Sequence, residues 1–260
     1  MTFKDTVHIL TVDIGEKNLC LWIDKYNLSD LRELSKHNIH KKLRYDMNGE
    51  YTADFSILMN KLYKMGSRVF MDKKDLTDSS DKKWGKKRII SSKFTSRLFN
   101  YLEDLNTLNT FDNVDYFAVE KQRKEAANNI EIEHYVKAYF VMLFLSFKKI
   151  LSIPAAIKTT LLGMPKKVKD IRLIDSDGLT ISNKLIKLTG SKAKTRRKQW
   201  TSNLALGILN DRGDSDAISR GFVSKNKKKM KTDDYSDTLT LNIAFVYNVF
   251  IDNDAMELIE

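Results

Sequence analysis

The stretch Val7-His8-Ile9-Leu10-Thr11-Val12-Asp13-Ile14-Gly15 is an almost unbroken apolar run that closes on an aspartate and a glycine. Such a run is typical of a strand buried on both faces of a sheet, and Gly15 permits a tight turn. A second apolar run, Leu19 to Tyr26, follows closely enough to pair with the first as a hairpin. We therefore expect Asp13 to lie at the end of a central strand, in a rigid position.

Apolar spacing predicts the remaining secondary structure. Helices are expected at residues 53–64, 92–108, 132–150, 195–210 and 234–250, and strands at 115–120 and 171–174. A third strand is expected within 27–52, whereas 72–92 is polar, basic and aperiodic, which favours a mobile loop or an insertion. The order predicts a single α/β domain over residues 1–260, a sheet with helices on its faces, and an insertion or elaborated region at 27–92.

Composition excludes several classes of protein. Hydrophobic residues make up 42% of the 260-residue chain, which contains only two prolines and ten glycines, so a disordered or fibrous protein is disfavoured. No apolar run reaches the roughly 18 residues of a membrane span, and because the first strand begins near residue 7, no signal peptide is expected. Cys20 is the only cysteine and lies in an apolar run, which favours an inert core thiol in a reducing compartment.

The positive charge of the chain is large and clustered. The formal net charge is +11, and five of seven residues are basic in each of the stretches 82–88, 192–198 and 225–231. Such clusters favour a polyanionic partner. A membrane surface is the weaker alternative, because none of the three stretches forms a clear amphipathic helix with exposed aromatic residues.

Three further acidic residues can join Asp13. Glu120 ends the predicted strand at 115–120, while Asp234 and Asp237 open the last predicted helix and share a side of it. Each has a purely structural alternative, as a turn cap, a solvated strand end or a helix cap. Taken together, carboxylates at strand ends and a helix start favour a magnesium site, since Mg²⁺ prefers oxygen ligands. Two ions held ~3.5–4 Å apart can cleave a phosphodiester, which indicates a magnesium-dependent nuclease.

The acidic motifs resemble those of the RuvC-like Holliday junction resolvases, in particular the poxvirus and iridovirus branch and its fungal mitochondrial relatives. Thr11-Val12-Asp13-Ile14-Gly15-Glu16-Lys17-Asn18 resembles the first-strand motif of that branch. Val119-Glu120-Lys121-Gln122 resembles its Glu-Arg-Gln strand end, with lysine in place of arginine. Lys231-Thr232-Asp233-Asp234-Tyr235-Ser236-Asp237 resembles its closing Asp-Asp-x-x-Asp motif, and Lys194-Thr195-Arg196-Arg197-Lys198-Gln199-Trp200 resembles the basic start of its penultimate helix.

The resemblance implies an RNase H-like fold, a homodimer, and two Mg²⁺ ions per active site, with Mn²⁺ as a substitute. Asp13 would bridge the ions, Glu120 would hold the ion on the leaving-group side, and Asp234 and Asp237 would complete the cage, with Asp233 a weaker candidate. The substrate would be a four-way DNA junction, nicked symmetrically to leave 5′-phosphates during viral or organellar DNA recombination. The expected location is the cytoplasm, at a site of viral replication, with the mitochondrion as the alternative.

Sequence-independent phosphate contacts are expected from basic residues near the acidic centre. The residues predicted to bind DNA are Lys121, Arg123, Lys124, Lys194, Arg196, Arg197, Lys198, Lys227, Lys228 and Lys229. A lysine close to the metals is also expected to stabilise the reacting phosphate, although the sequence does not single one out. The helix at 132–150 is apolar enough to face the core on one side and a second subunit on another.

Three other functions remain open from the sequence. A sugar-kinase or actin-like ATPase also uses an Asp-Ile-Gly stretch, but that class needs further glycine-rich phosphate loops, and Gly15 stands without a second glycine nearby. A different RNase H-like nuclease would cleave RNA–DNA hybrids instead of junctions. A basic DNA-binding protein without catalysis is the third, and the presence of all four carboxylates argues against it.

Overall fold

A mixed sheet lies at the centre of the protein. The computed structural model describes residues 4–46, 50–81, 83–84, 87–145, 147–163, 167–174, 178–187, 190–222 and 233–252. In chain order the strands are β1 (Thr6–Asp13), β2 (Leu19–Asn27), β3 (Ser67–Lys74), β4 (Lys83–Trp84), β5 (Lys87–Arg88), β6 (Tyr116–Lys121), β7 (Lys149–Pro154), β8 (Lys167–Ile174) and β9 (Gly178–Lys187).

Five of these strands form the central sheet in the order β3-β2-β1-β6-β7, while β4 pairs with β5 and β8 with β9 in separate hairpins. β2 is antiparallel to both β1 and β3. β1, β6 and β7 are parallel to one another, so their carboxyl ends meet at one edge of the sheet. This edge is therefore where side chains from successive parallel strands can converge.

Helices cover both faces of the sheet. They are α1 (Leu28–Ser35), α2 (Ala53–Met65), α3 (Ser92–Thr107), α4 (Ala127–Phe144), α5 (Ala156–Leu161), α6 (Gly190–Arg212), α7 (Ser215–Gly221) and α8 (Asp233–Val246), which continues as a π-helical turn, Tyr247–Ile251. Alternate residues of β1 serve the two cores: Ile9 packs with α1, α2, α6 and α8, whereas Leu10 and Val12 pack with α3 and α4. None of the helices within the described ranges has the length and apolarity of a membrane span.

A buried polar network fixes α6 and α8 to the sheet. Asp24 on β2 accepts hydrogen bonds from the Trp22 indole at 2.7 Å and from Arg212 of α6, also at 2.7 Å. The Tyr26 hydroxyl lies 2.7 Å from the side-chain oxygen of Asn242 on α8, and the Asn242 amide donates to the backbone oxygen of Ile9 at 3.1 Å. Because buried polar groups are costly when unpaired, this network defines where α8 lies across β1.

The predicted α/β architecture is confirmed as a five-stranded mixed sheet flanked by helices. The first hairpin and the helices predicted at 53–64, 92–108 and 195–210 are present. The third strand predicted within 27–52 is wrong: α1 and a 3₁₀ turn lie there, and the third sheet strand is β3. Leu28, Leu31 and Leu34 recur at helical spacing after an Asn27 cap, which explains the helix.

The helix predicted at 132–150 is also wrong in its second half. α4 ends at Phe144, because Leu145 adopts a left-handed conformation with φ 43°, and β7 begins at Lys149. The strand predicted at 171–174 belongs to the hairpin of β8 and β9 and not to the central sheet. The region 27–92, predicted to be an insertion or an elaborated region, contains α1, α2, β3 and the small hairpin of β4 and β5.

Candidate active site

The acidic residues are placed by the carboxyl ends of the parallel strands. Asp13 is the last residue of β1, and Glu120 lies near the end of the adjacent β6. α8 crosses this edge and brings Asp237, while α5, which follows β7 directly, brings Lys158. The site is therefore assembled from four separate segments of the chain.

Lys158 lies between two of the carboxylates. Its Nζ is 3.0 Å from Oε1 of Glu120 and 3.2 Å from Oδ1 of Asp237. The carboxyl of Asp13 is hydrogen-bonded to that of Glu120. The side chains of Lys158 and Glu120 are only 9% and 10% exposed, so this is a buried cluster and not a surface ion pair.

Burial and the neighbouring charges shift the pKa values of these acids in different directions. Burial raises the pKa of the Asp13 carboxyl well above its usual range, and Glu120 raises it further. For Glu120, burial also acts to raise the pKa, but Lys158 and the hydrogen bond from Asp13 lower it overall. Burial raises the pKa of Asp237 despite Lys158. The Asp13 carboxyl is therefore harder to ionise than that of Glu120, as expected when like charges share a buried site.

The same acidic cluster keeps Lys158 positively charged. Burial acts to lower the pKa of Lys158, but Glu120, Asp237 and Asp13 outweigh it and raise that pKa above its usual range. Lys158 is accordingly an ammonium ion at neutral pH. The ammonium thus offsets part of the negative charge of the three acidic side chains.

The donor chemistry of this cluster fits a divalent cation. Carboxylate oxygens are the ligands that Mg²⁺ prefers, and a cation, the ammonium of Lys158, already lies between Glu120 and Asp237. Among the described residues no three His, Cys, Asp or Glu side chains form a ready-made metal cage. In this structure the carboxylates are arranged around the ammonium, so binding of a metal ion requires that they rearrange.

Asp234, the other predicted ligand on α8, has a different cationic neighbour. Its Oδ2 lies 3.4 Å from Nζ of Lys73 on β3. Burial is the main reason why the pKa of the Cys20 thiol is raised well above its usual range, and both Asp13 and Asp234 raise it further. Asp13 and Asp234 therefore both lie near Cys20, while Asp237 faces Lys158. Cys20 is itself buried and free.

A network of polar side chains holds Glu120 in place. The side-chain amide of Gln122 donates to Oε2 of Glu120 at 3.3 Å and accepts from the Asn129 amide at 3.3 Å. The backbone N–H of Gln122 donates to buried Glu133 at 2.8 Å, and the Ser152 hydroxyl donates to the same carboxylate at 3.2 Å. α4 and β7 thereby fix the turn that follows Glu120.

A cavity of about 420 Å³ opens beside the carboxylates. Residues lining it include Glu120 and Asp237, together with three residues predicted to bind DNA, Lys121, Arg123 and Arg197. Among the other predicted DNA contacts, Lys124 and Arg196 are exposed and Lys198 is half-buried. Lys227, Lys228 and Lys229 lie outside the described residues, as does the side chain of Lys194.

Sequence reasoning missed the residue at the centre of the cluster. Lys158 follows a strand of which only the first two residues fall within the helix predicted at 132–150, and Ala155-Ala156-Ile157-Lys158 matches no motif. A lysine near the metals was expected, but only the position of α5 after β7 identifies it. Gln122 was visible as part of the Glu-Lys-Gln strand end, whereas Glu133 and Asn129 carry no signal in the sequence.

The chain has distant similarity to a viral protein and to two RuvC structures. No family model matches it. "Uncharacterized protein 170L" of Invertebrate iridescent virus 6 is 23% identical over 239 residues, 90% of this chain and 87% of that protein. RuvC of T. thermophilus in complex with a Holliday junction substrate is similar with a TM-score of 0.41 and 10% identity, covering 93% of this chain and 94% of that one. A second Thermus thermophilus RuvC structure has a TM-score of 0.40 and 13% identity, covering 91% and 94%.

Replacing Asp13 by asparagine is expected to stabilise the metal-free protein at neutral pH. A carboxyl whose folded-state pKa is raised contributes stability at low pH and loses it as the pH rises through that pKa. Asparagine removes this loss and can still donate to Glu120. Asp13→Asn should therefore be more stable than the wild type at pH 7.

The measurement is urea unfolding in EDTA between pH 4.5 and pH 8. The gain should shrink toward pH 4.5, because the pH then approaches the ordinary pKa of aspartate in the unfolded chain and protonating the wild-type carboxyl on folding costs little. Asp104→Asn, at an exposed position of α3, is the control and should show no such gain. If Asp13→Asn is less stable than the wild type at pH 7, the raised pKa assigned to the Asp13 carboxyl is contradicted.

Proposed function

We propose that the protein is a magnesium-dependent endonuclease that resolves four-way DNA junctions by symmetric nicking, in viral or organellar DNA recombination. The observation that carries the proposal is the convergence of Asp13, Glu120 and Asp237 beside a cavity with basic walls. Convergent buried carboxylates have little structural use, because they repel one another. They are suited to holding cations next to a phosphate.

Asp13, Glu120, Asp237 and Asp234 are the residues that would hold two Mg²⁺ ions, with Mn²⁺ as a substitute. Bound ions supply Lewis acidity at the scissile phosphate and lower the pKa of the attacking water. The chain itself fixes the geometry: the Asp13 carboxyl lies at a rigid strand end, and Gln122 and Glu133 orient the strand end that carries Glu120.

The walls of the cavity would hold the DNA backbone. Arg197 on α6 lines the cavity together with Glu120 and Asp237, and Lys121 and Arg123 follow Glu120 directly. Guanidinium groups suit phosphate oxygens because their donors form a planar fork. Contacts of this kind position a strand without reading its sequence, which suits a nuclease that recognises the shape of a branched substrate. The expected location remains the cytoplasm, at a site of viral replication.

A homodimer would provide the two active sites that paired nicks require. The C-terminal end of α4 presents an apolar patch, defined here as Val141, Met142, Leu145 and Phe147, and Met142 and Phe147 are 75% and 90% exposed. Exposed apolar clusters of this kind mark protein contacts more often than isolated residues do. We assign the dimer contact of the proposed resolvase to this patch.

Cleavage of labelled DNA tests the proposal directly. With Mg²⁺, the protein should make paired symmetric nicks in a four-way junction and leave a linear duplex and an RNA–DNA hybrid intact. Asp13→Asn should bind the junction but cut it at least ~100-fold more slowly, since even residues that merely orient a metal ligand are worth roughly 10–100-fold. Asp104→Asn should cut as the wild type does.

Each alternative outcome of that assay has a definite meaning. Cleavage of the hybrid alone would make the protein a ribonuclease H. Junction binding without cleavage by the wild type would make it a DNA-binding module. Unimpaired cleavage by Asp13→Asn would remove the acidic cluster from the reaction.

The contribution of Arg197 is measurable as a salt dependence. Arg197→Ala should weaken binding of all junction sequences alike and reduce the slope of log affinity against log salt by about 0.9, the value for one phosphate contact in duplex DNA. Fluorescence anisotropy in Ca²⁺ at several salt concentrations gives this slope. Arg32→Ala removes an exposed arginine of α1 and should leave the slope unchanged; equal effects of both variants would argue for bulk charge alone.

Charge placed in the apolar patch should disrupt the dimer. Met142→Glu or Phe147→Glu should shift the sedimentation coefficient from that of a dimer to that of a monomer and abolish paired nicking. Leu43→Glu is the matched control, because Leu43 is 64% exposed outside the patch. A dimer that persists in both patch variants would place the interface elsewhere.

A further inference from the structure

We propose that Lys158 is an internal cation that pairs with carboxylates of the proposed metal site and leaves them when a divalent ion binds. This deepens the proposed function and rests on its metal site. Lys158 would then set how tightly the protein binds metal, in addition to any contact it makes with DNA.

The position of the ammonium carries the inference. Nζ of Lys158 contacts carboxylates from two different elements, Glu120 on β6 and Asp237 on α8, at 3.0 and 3.2 Å. A magnesium ion binds oxygen at about 2.0–2.1 Å, so an ion held by the same two carboxylates would compete with the ammonium for their oxygens. Two cations cannot share that place at low dielectric, and one must leave.

The side chain of Lys158 borders a cavity into which it can move. Its side chain lines the cavity of about 420 Å³ together with Thr159, Arg123 and Arg197. A lysine has a flexible four-carbon stem, so its ammonium can move from the carboxylates into this cavity without a change in the backbone. In that position it joins the groups that would face a DNA phosphate.

Two consequences follow from an exchange of this kind. Metal binding must displace a salt bridge, so it is weaker than the acidic residues alone would give. Loading also transfers one positive charge from the carboxylates to the cavity. Metal binding and DNA binding would therefore favour each other, as linked equilibria require.

Titration of the 260-residue protein with Mg²⁺, by calorimetry and without DNA, tests the exchange independently of catalysis. Lys158→Met should bind Mg²⁺ at least tenfold more tightly than the wild type. Lys158→Arg keeps a competing cation and should bind no more tightly than the wild type. Lys36→Met is the control for charge removal, because Lys36 pairs with Glu33 on the exposed surface of α1, and it should have no effect.

The outcomes separate this inference from the proposed function. If the wild type binds Mg²⁺ and Lys158→Met binds it equally or more weakly, Lys158 does not compete with the metal ion, and the nuclease proposal survives. If neither protein binds Mg²⁺, both proposals fail. Should Lys158→Met not fold without metal, Lys158→Gln retains hydrogen-bond donors without the charge, and the same tightening is expected of it.

Discussion

The ion pairs of Lys158 with Glu120 and Asp237 are the interaction on which the candidate site depends. Three acidic side chains meet in a buried place, and burial penalises each charge. The ammonium of Lys158 offsets part of this penalty through its ion pairs with Glu120 and Asp237. A cluster held by ion pairs to a lysine is suited to exchanging that ammonium for a divalent metal ion, as we propose.

The convergence itself is a property of the fold. Parallel pairing of β1, β6 and β7 aligns their carboxyl ends, so that Asp13, Glu120 and the segment leading to Lys158 reach the same edge. α8 brings Asp237 to that edge because the buried contacts of Asn242 fix it across β1. The sheet therefore provides rigidity, and basic residues line the cavity beside the carboxylates.

The positions of the acidic residues can be predicted from the sequence, whereas that of Lys158 cannot, and both outcomes have physical reasons. Asp13 and Glu120 end short apolar runs, so their strand-end positions follow from local pattern alone. Lys158 was missed because the boundary between α4 and β7 rests on the left-handed backbone of Leu145, a conformation that glycine or asparagine would have signalled and leucine does not. The helical spacing of Asp234 and Asp237 indicated one shared side, but only tertiary contacts assign Lys73 to one and Lys158 to the other.

The most direct test of the account is a crystal structure of the protein grown with Mn²⁺, using anomalous scattering to locate the ions. The account predicts manganese bound by the carboxylates of Asp13, Glu120 and Asp237, with the ammonium of Lys158 displaced into the cavity. A map with Lys158 still between Glu120 and Asp237, and no manganese beside Asp13 at millimolar concentration, would contradict the central claim that this acidic cluster is a metal-dependent nuclease site.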